Sequence, residues 1–206
     1  EKMSMVEALE DGSTVIYNGE DRNIVHDRLK KLKTLKVGYK KSMDFYADQV
    51  HLLDEGLDFR LNGKTLVFAP ILGQHNVLNT LLATAAASCF GITPAIVKER
   101  MAGFQAPKGR LRYQEIGGVH WIDDSYNANP SSLKAAIELF RSYPPKGRKI
   151  LVLGDMLELG PRAQAFQSAC RSDGAAGSGR RRLLARRQEA KSKTRGGPGS
   201  SSHSAS

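Results

Sequence analysis

Hydrophobic and polar positions along the first 160 residues switch repeatedly between the period of strands and that of helices. Short β-branched and aromatic runs predict strands at residues 13–17, 34–39, 49–53, 57–61 and 65–69. Leu- and Ala-rich or amphipathic runs predict helices at 22–32, 76–90, 94–103 and one that opens at Pro130. Further strands are predicted at 111–116, 119–123 and 149–153. This alternation predicts an α/β fold with a mostly parallel sheet and a small antiparallel patch.

The local signals add detail to this outline. Asn62-Gly63 between two predicted strands indicates a tight hairpin. The run 76–90 is apolar nearly all round and predicts a buried helix, and the continuous apolar run 149–153 predicts a fully buried parallel strand. Pro144-Pro145 and the residues after them predict a linker.

The last 46 residues, 161–206, have a different composition. Gly, Ser, Ala and Arg supply 31 of them, which leaves too little apolar surface to offset the entropy of ordering. Ten basic and two acidic residues lie there, so this tail carries +8 of the net charge of +10. We therefore expect a disordered basic tail, and only a nonspecific, salt-sensitive attraction to nucleic acid. The nearly neutral body gives no support for specific nucleic-acid binding.

Apolar run lengths and cysteine spacing exclude several other classes of protein. No apolar run approaches the ~20 residues of a membrane span, so we expect none. Cys89 and Cys170 are too few and too far apart to indicate a disulfide framework or a metal site. These features favour a cytoplasmic protein with reduced thiols.

The first segment with candidate chemistry is 73–79, Gly-Gln-His-Asn-Val-Leu-Asn, where a glycine turn opens into a helix. Free N–H groups at a helix N-terminus suit an anion or the polar edge of a ligand. Asn76 and Asn79 are three residues apart and share a helix face, from which they can hydrogen-bond a base. The alternative is a helix cap with an internally satisfied polar pair.

The second segment, 123–130, reads Asp-Asp-Ser-Tyr-Asn-Ala-Asn-Pro and joins a strand to a helix. Ligands bind α/β sheets at such strand ends. Turns and a cap would use Asn127 and Asn129 but leave the two adjacent carboxylates unexplained, so we interpret the segment as functional. A third segment, 153–160, follows a buried strand with a polar turn.

In this order and spacing, the strings GQHNVLN, DDSYNANP and LGDMLELG resemble the Mur ligase family. The 126–130 form resembles the members that add D-alanyl-D-alanine to UDP-N-acetylmuramoyl-tripeptide. The resemblance implies a monomeric cytoplasmic ligase of peptidoglycan synthesis that uses ATP and Mg²⁺ and acts through an acyl phosphate. It also implies three parts: the back half of the central ATP-binding domain (1–146), the start of a Rossmann-like C-terminal domain (147–160), and the tail (161–206).

Roles for individual residues follow from the same resemblance. It places Asn76 at adenine, with His75 and Asn79 beside it, Arg110 at the ribose or phosphate, and Asp124 at the ribose. Tyr126, Asn127 and Asn129 would form a loop near the substrate, and Lys2 falls where some members carry a carbamylated lysine beside magnesium. Lys2 can equally be a solvated lysine near the terminus.

Two departures from the family pattern leave other functions open. No glycine-rich loop ending in Gly-Lys-Ser or Gly-Lys-Thr and able to cradle phosphates occurs in the 206 residues, because Gly63-Lys64-Thr65 lacks an upstream glycine. We also expect the family's N-terminal substrate domain to be missing, and a shifted reading frame or a truncated gene model would give the abrupt change of composition after Gly160. We therefore expect the isolated chain to lack ligase activity. The alternatives are a non-catalytic nucleotide- or partner-binding chain of the same ancestry, or another ligase of the superfamily such as a folylpolyglutamate synthase.

Overall fold

The computed structural model of the chain describes residues 2–24, 26–143, 148–154 and 183–186. It divides into two compact units, one ending at Gly147 and the other beginning at Arg148. The domain boundary that we expect after residue 146 stays a prediction; the two units divide after residue 147. Among the described residues, no helix has the length and apolar character needed to cross a membrane.

A five-stranded sheet forms the centre of the first unit. Its strands lie in chain order: β1 (Thr14–Asn18), β2 (Lys33–Gly38), β3 (Phe45–Leu52), β4 (Leu57–Leu61) and β5 (Thr65–Ala69). β1, β2 and β3 pair in parallel, whereas β4 pairs antiparallel with both β3 and β5. Four strands therefore point the same way, which confirms the predicted mostly parallel sheet.

Three helices and a separate hairpin complete the first unit. Helix α1 (His75–Ser88) packs against β1, β2 and β3, and α2 (Pro94–Ala102) packs against β5. The predicted small antiparallel patch is a two-stranded sheet of β6 (Arg112–Ile116) and β7 (Val119–Asp123), and α3 (Pro130–Ser142) follows it.

The main core lies between the sheet and α1. Along β4, Leu57, Phe59 and Leu61 are buried on alternate positions, as the period of a strand requires. They face Val77 and Leu81 of α1, four residues apart on one helix face. Each fully buried side chain of this kind contributes about 1.5–3 kcal/mol, so this layer fixes where α1 begins.

A second core cluster joins segments that are distant in sequence. Leu72 precedes α1, Leu111 precedes β6, and Leu139 and Tyr143 belong to α3 and its end; all four are buried. The Tyr143 hydroxyl donates a hydrogen bond to the carbonyl oxygen of Asp54. This cluster holds the turn before α1 against the residues that lead into β6.

Several predicted elements differ from the observed ones. The helix expected over 22–32 is only a 3₁₀ turn, His26–Leu29, and an unpredicted 3₁₀ helix covers Lys2–Ala8. Helix α1 is buried along one face rather than all round. The strand expected over 49–53 is part of the longer β3, whose register shifts between Asp48 and His51.

The second unit contains a short parallel sheet of β8 (Leu151–Gly154) and β9 (Leu183–Arg186). The parallel pairing of β8 agrees with expectation, but Val152 is 57% exposed, so the strand is not fully buried. β9 lies within the tail for which we expected disorder; a run of three apolar residues, 183–185, makes a strand feasible there. The rest of 161–206 lies outside the described residues, as does the run 155–160.

The β8–β9 pairing predicts how truncation changes hydrogen exchange. Removing residues 188–206 should leave the amides of Leu151–Gly154 protected, whereas removing 161–206 should make them exchange faster, because β9 supplies their hydrogen-bond partners. Exchange measured by mass spectrometry or NMR on both truncated chains checks this. Equal protection in the two truncations would contradict the pairing.

Candidate functional site

Helix α1 begins beside a glycine turn that no other residue fits. Gly73 has φ +90°, and a Cβ there would lie 2.7 Å from the His75 ring and 2.8 Å from Leu111 Cδ1. The backbone N–H of Asn76 donates to the Gly73 carbonyl at 2.9 Å, and Gln74 gives the helix no side-chain cap. The helix therefore starts tightly packed against Leu111, with the positive end of its dipole at this turn.

The two predicted asparagines of α1 are hydrogen-bonded to each other. Asn76 Nδ2 donates to the Leu72 carbonyl at 2.6 Å, and Asn79 Nδ2 donates to Asn76 Oδ1 at 2.9 Å. The polar-pair alternative thus describes their internal contacts correctly. Each amide keeps unused bonding capacity, so the pair presents a fixed polar edge rather than a saturated one.

Two adjacent carboxylates at the end of β7 hold the loop that precedes β6. Asp123 Oδ2 accepts the backbone N–H of Gly109 at 3.2 Å, and Asp124 Oδ1 accepts that of Leu111 at 3.2 Å. Asp123 Oδ1 also accepts the N–H of Ser125 at 3.1 Å. The paired carboxylates therefore have a structural task as well as a candidate chemical one.

Arg110 lies between the two residues whose amides are held in this way. Its guanidinium carbon lies 4.2 Å from the centroid of the Tyr126 ring, which is a cation–π contact. The Tyr126 N–H donates to the Gly109 carbonyl at 3.1 Å, and Gly109 has φ +73°. Arg110 and Tyr126 are both exposed, so the pair lies open to a ligand.

The charges of three predicted site residues act on one another. The pKa of the Asp124 carboxyl is raised, mainly by burial, while the Leu111 N–H, His75 and Arg110 lower it and Asp123 raises it. Burial lowers the pKa of His75, and the Asp124 carboxylate opposes that shift. The structure thus places Asp124 within electrostatic reach of both His75 and Arg110.

Asp123 has the opposite electrostatic character from its neighbour. The Ser125 hydroxyl is the main cause that lowers the pKa of Asp123, with backbone donors and Arg112 acting in the same direction against burial. Asp123 is therefore the more firmly ionised of the two acids, and Asp124 is the one whose carboxylate gains most from a further donor.

The remaining predicted residues have different positions. Asn129 is the cap of α3: its Oδ1 accepts the Ser132 N–H at 2.9 Å, and the Ser132 hydroxyl accepts the Asn129 N–H at 3.1 Å. Asn127 is exposed, and its side chain has no hydrogen bond within the described part of the chain. Lys2 begins the first 3₁₀ helix, and its side chain lies outside what the structure describes.

Two family models match the chain in succession. The Mur ligase middle domain matches residues 1–87, and the Mur ligase glutamate ligase domain matches residues 109–187, so most of the chain is covered. The chain belongs to the Mur ligase family. Because the second match begins at residue 109, Gly109 and Arg110 lie at the start of that family domain, earlier than the boundary we expected.

Several curated relatives of this Mur ligase chain share one name. The UDP-N-acetylmuramoyl-tripeptide–D-alanyl-D-alanine ligase of Bacillus subtilis is 36% identical over 171 residues, which are 82% of this chain and 37% of that protein. The Escherichia coli enzyme of the same name is 37% identical over 126 residues, 59% of this chain and 27% of that protein. The chain thus spans well under half the length of these relatives.

Solved structures agree with the family. A crystal structure of MurF from Acinetobacter baumannii superposes with a TM-score of 0.77 at 25% identity, over 89% of this chain and 41% of that chain. MurF from Thermotoga maritima in complex with ADP gives a TM-score of 0.74 at 20% identity, over 89% of this chain and 42% of that one. The second likeness concerns the fold alone.

Sequence reasoning missed Tyr39 as a neighbour of the Mur ligase site. Its hydroxyl donates to the Gln74 carbonyl at 3.0 Å, and its N–H donates to Glu20 Oε2 at 2.9 Å. Burial and the Glu20 carboxylate raise the pKa of Tyr39, so the hydroxyl stays protonated and able to donate. No spacing rule in the sequence links Tyr39 to Gln74, which is 35 positions away. Tyr39 follows β2 and Gln74 follows β5, and these two strands end at the same edge of the sheet.

Asp123 and Asp124 should affect stability with opposite pH dependence. Asp123 has a native pKa below its ordinary 3.8, so its charge stabilises the fold above that pH and the contribution is lost as the pH falls through the lowered value. Asp124 has a native pKa above 3.8, so stability is lost as the pH rises from 3.8 through the raised value. Asp123→Asn should therefore be more destabilising at neutral than at acidic pH. Asp124→Asn should show the opposite pH dependence and be less destabilising at neutral than at acidic pH.

Urea unfolding of the wild type and the two variants across this pH range measures the difference directly. The same direction of pH dependence in both variants would contradict the assigned environments. Because each asparagine still offers an oxygen to the backbone donor, the comparison isolates charge.

Proposed function

We propose that this chain is part of an ATP-dependent amide ligase that joins D-alanyl-D-alanine to UDP-N-acetylmuramoyl-tripeptide. The observation that carries the proposal is that Leu111, next to Arg110 and hydrogen-bonded to Asp124, packs against Gly73 at the turn before Asn76. The names of the relatives in Bacillus subtilis and Escherichia coli support the choice of substrates. A cytoplasmic location and a monomeric state are part of the same proposal.

The described residues fit the nucleoside end of ATP. The Asn76 amide, held by Leu72 and Asn79, offers a donor and an acceptor suited to the edge of adenine. Asp124 accepts a ribose hydroxyl with the oxygen that Leu111 does not use, and a further donor there offsets the cost of its burial. The exposed guanidinium of Arg110 donates to a ribose oxygen or a phosphate. The neighbour crystallised with ADP is consistent with such a site.

Bound ATP supplies the phosphoryl group that activates the tripeptide carboxylate as an acyl phosphate, and attack by the D-alanyl-D-alanine amine then gives the amide, ADP and phosphate. The residues of this chain have a binding role in that sequence. They orient the nucleoside through hydrogen bonds from Arg110 and to Asp124, and positioning of bound groups is one source of rate in phosphoryl-transfer enzymes. Two neighbouring groups complete this region. His75 lies beside Asn76 at the start of α1, and the loop after Asp124 contains Tyr126, Asn127 and Asn129.

The described residues contain no preformed cluster of metal-binding side chains. No group of three or more His, Cys, Asp or Glu side chains among them is arranged to hold a metal ion. Asp123 and Asp124 already accept backbone N–H groups, so we assign no step to magnesium through them. A carbamylated Lys2 beside Mg²⁺ stays a proposal that rests on resemblance to the family.

One observation favours a second candidate, a nucleotide-binding chain without catalysis. The Gly63-Lys64-Thr65 string lies at the turn of the β4–β5 hairpin, with φ +68° at Gly63, and not ahead of a helix where it would cradle phosphates. Structures of folylpolyglutamate synthase have TM-scores of 0.61 at 15–17% identity, which is likeness of fold and favours no folate substrate.

The reaction itself distinguishes these functions. We define the full-length ligase as a protein that carries this chain's residues 1–154 together with the regions of its relatives that the chain does not span. Phosphate release from it should require ATP, UDP-N-acetylmuramoyl-tripeptide and D-alanyl-D-alanine together. Binding of ATP with no turnover would favour the non-catalytic chain, and turnover with glutamate as the acceptor would favour the folate branch. Tripeptide substrates that differ in their third residue would establish which third residue the ligase prefers.

Asn76→Ala and Asp124→Ala should each weaken ATP binding by the full-length ligase about ten- to hundredfold, because an unmade hydrogen bond at a desolvated ligand costs about 1–3 kcal/mol. Isothermal titration gives the affinity. Asn23→Ala, which removes an exposed amide paired only with Asp21, is the matched control and should bind ATP normally. Unchanged affinity in Asn76→Ala and Asp124→Ala, with melting temperatures that show folded protein, would restrict both residues to structural roles.

A further inference from the structure

Arg110 depends on an aromatic ring rather than on an acid for its orientation. No carboxylate lies within ion-pair distance of its guanidinium among the described residues, whereas the Tyr126 ring lies 4.2 Å away. A long, exposed arginine samples many rotamers unless something restricts it. The face of this ring is therefore the observed contact that favours one direction of the guanidinium.

The backbone and Cβ of Tyr126 are held against Gly109. Its N–H donates to the Gly109 carbonyl at 3.1 Å, and a Cβ added to Gly109 would lie only 2.7 Å from that nitrogen and 3.0 Å from Tyr126 Cβ. The Asp123 carboxylate holds the Gly109 N–H from the other side. The ring and the guanidinium are thus placed by the same short segment of backbone.

The hydroxyl of Tyr126 has no part in this arrangement. It makes no hydrogen bond within the described residues, and the side chain is 69% exposed. A phenylalanine would present the same ring face to Arg110, whereas a leucine would keep the apolar bulk and lose the π-system.

We propose that Tyr126 is a positioning residue whose ring face holds the Arg110 guanidinium beside Asp124, in the direction needed to meet the ribose or phosphate of a nucleotide. The nucleotide part of this inference rests on the proposed function; the contact between the two side chains does not. The effect of Arg110 on the Asp124 pKa agrees with a guanidinium held close to that carboxyl. Tyr126 acts through Arg110 and does not itself touch the ligand.

A different role for Tyr126, stacking directly on the base, gives a different double-mutant result. If the ring acts through Arg110, Tyr126→Leu has no further effect once Arg110→Ala is present. If the ring stacks on adenine, the effects of the two substitutions add. The cycle therefore separates positioning from direct contact.

In the full-length ligase, Tyr126→Leu should raise KM for ATP about two- to fivefold, as expected for an exposed cation–π contact. The KM for D-alanyl-D-alanine should stay unchanged, and Tyr126→Phe should restore the wild-type KM for ATP. The double variant Arg110→Ala/Tyr126→Leu should match Arg110→Ala alone. Additive effects, or a Tyr126→Phe variant as impaired as Tyr126→Leu, would overturn the proposal.

A second measurement, on the 206-residue chain itself, does not depend on activity. The Arg110 side-chain protons should show an upfield ring-current NMR shift in the wild type and in Tyr126→Phe, and lose it in Tyr126→Leu. An absent shift in the wild type overturns the positioning role whatever the ligase does. A shift that behaves as expected, in a protein whose full-length form neither binds nor uses ATP, would leave the contact intact and refute the proposed function.

Discussion

Two adjacent carboxylates at the end of β7 determine the arrangement of this site. Asp123 and Asp124 accept the backbone N–H groups of Gly109 and Leu111, so the loop that carries Arg110 cannot move away from β7. Leu111 in turn packs against Gly73, where even a methyl group would collide with it. One chain of contacts therefore links the end of β7, the loop before β6 and the start of α1.

The same contacts give the two acids different properties. Asp123 accepts several hydrogen bonds and stays firmly ionised, whereas Asp124 is desolvated and keeps unused acceptor capacity. Both acids thus hold the loop, and Asp124 in addition keeps an oxygen that a ligand can use. The charge of Arg110 compensates Asp124 without a direct ion pair, because the guanidinium is held by the ring of Tyr126.

Local signals in the sequence predicted the parts of the fold that depend on neighbouring residues. Asn62 and Gly63 both have positive φ at the β4–β5 turn, as their identity suggests, and Asn129-Pro130 opens α3 with a cap. Arg22–Leu32 is not an α-helix although its apolar spacing suits one: only His26–Leu29 forms a 3₁₀ turn between the parallel strands β1 and β2. The β8–β9 pairing could not be predicted, because neither segment alone encodes which distant strand it pairs with.

The candidate site was predictable as a set of residues but not as a geometry. Polar residues at strand ends and helix starts indicated segments 73–79 and 123–130. The structure places His75 and Asp124 within electrostatic reach of each other. The bond between Asn76 and Asn79, the seat of Arg110 on Tyr126 and the hydrogen bond from Tyr39 to Gln74 depend on side-chain directions. Periodicity carries no information on those directions.

We propose that segments 73–79 and 109–126 form a single nucleotide site. Hydrogen–deuterium exchange of the full-length ligase, with and without ADP, tests it most directly. ADP should slow exchange in both segments together and leave the β3–β4 hairpin, residues 45–61, unchanged. Slower exchange in only one of the two segments, or in neither, would contradict it.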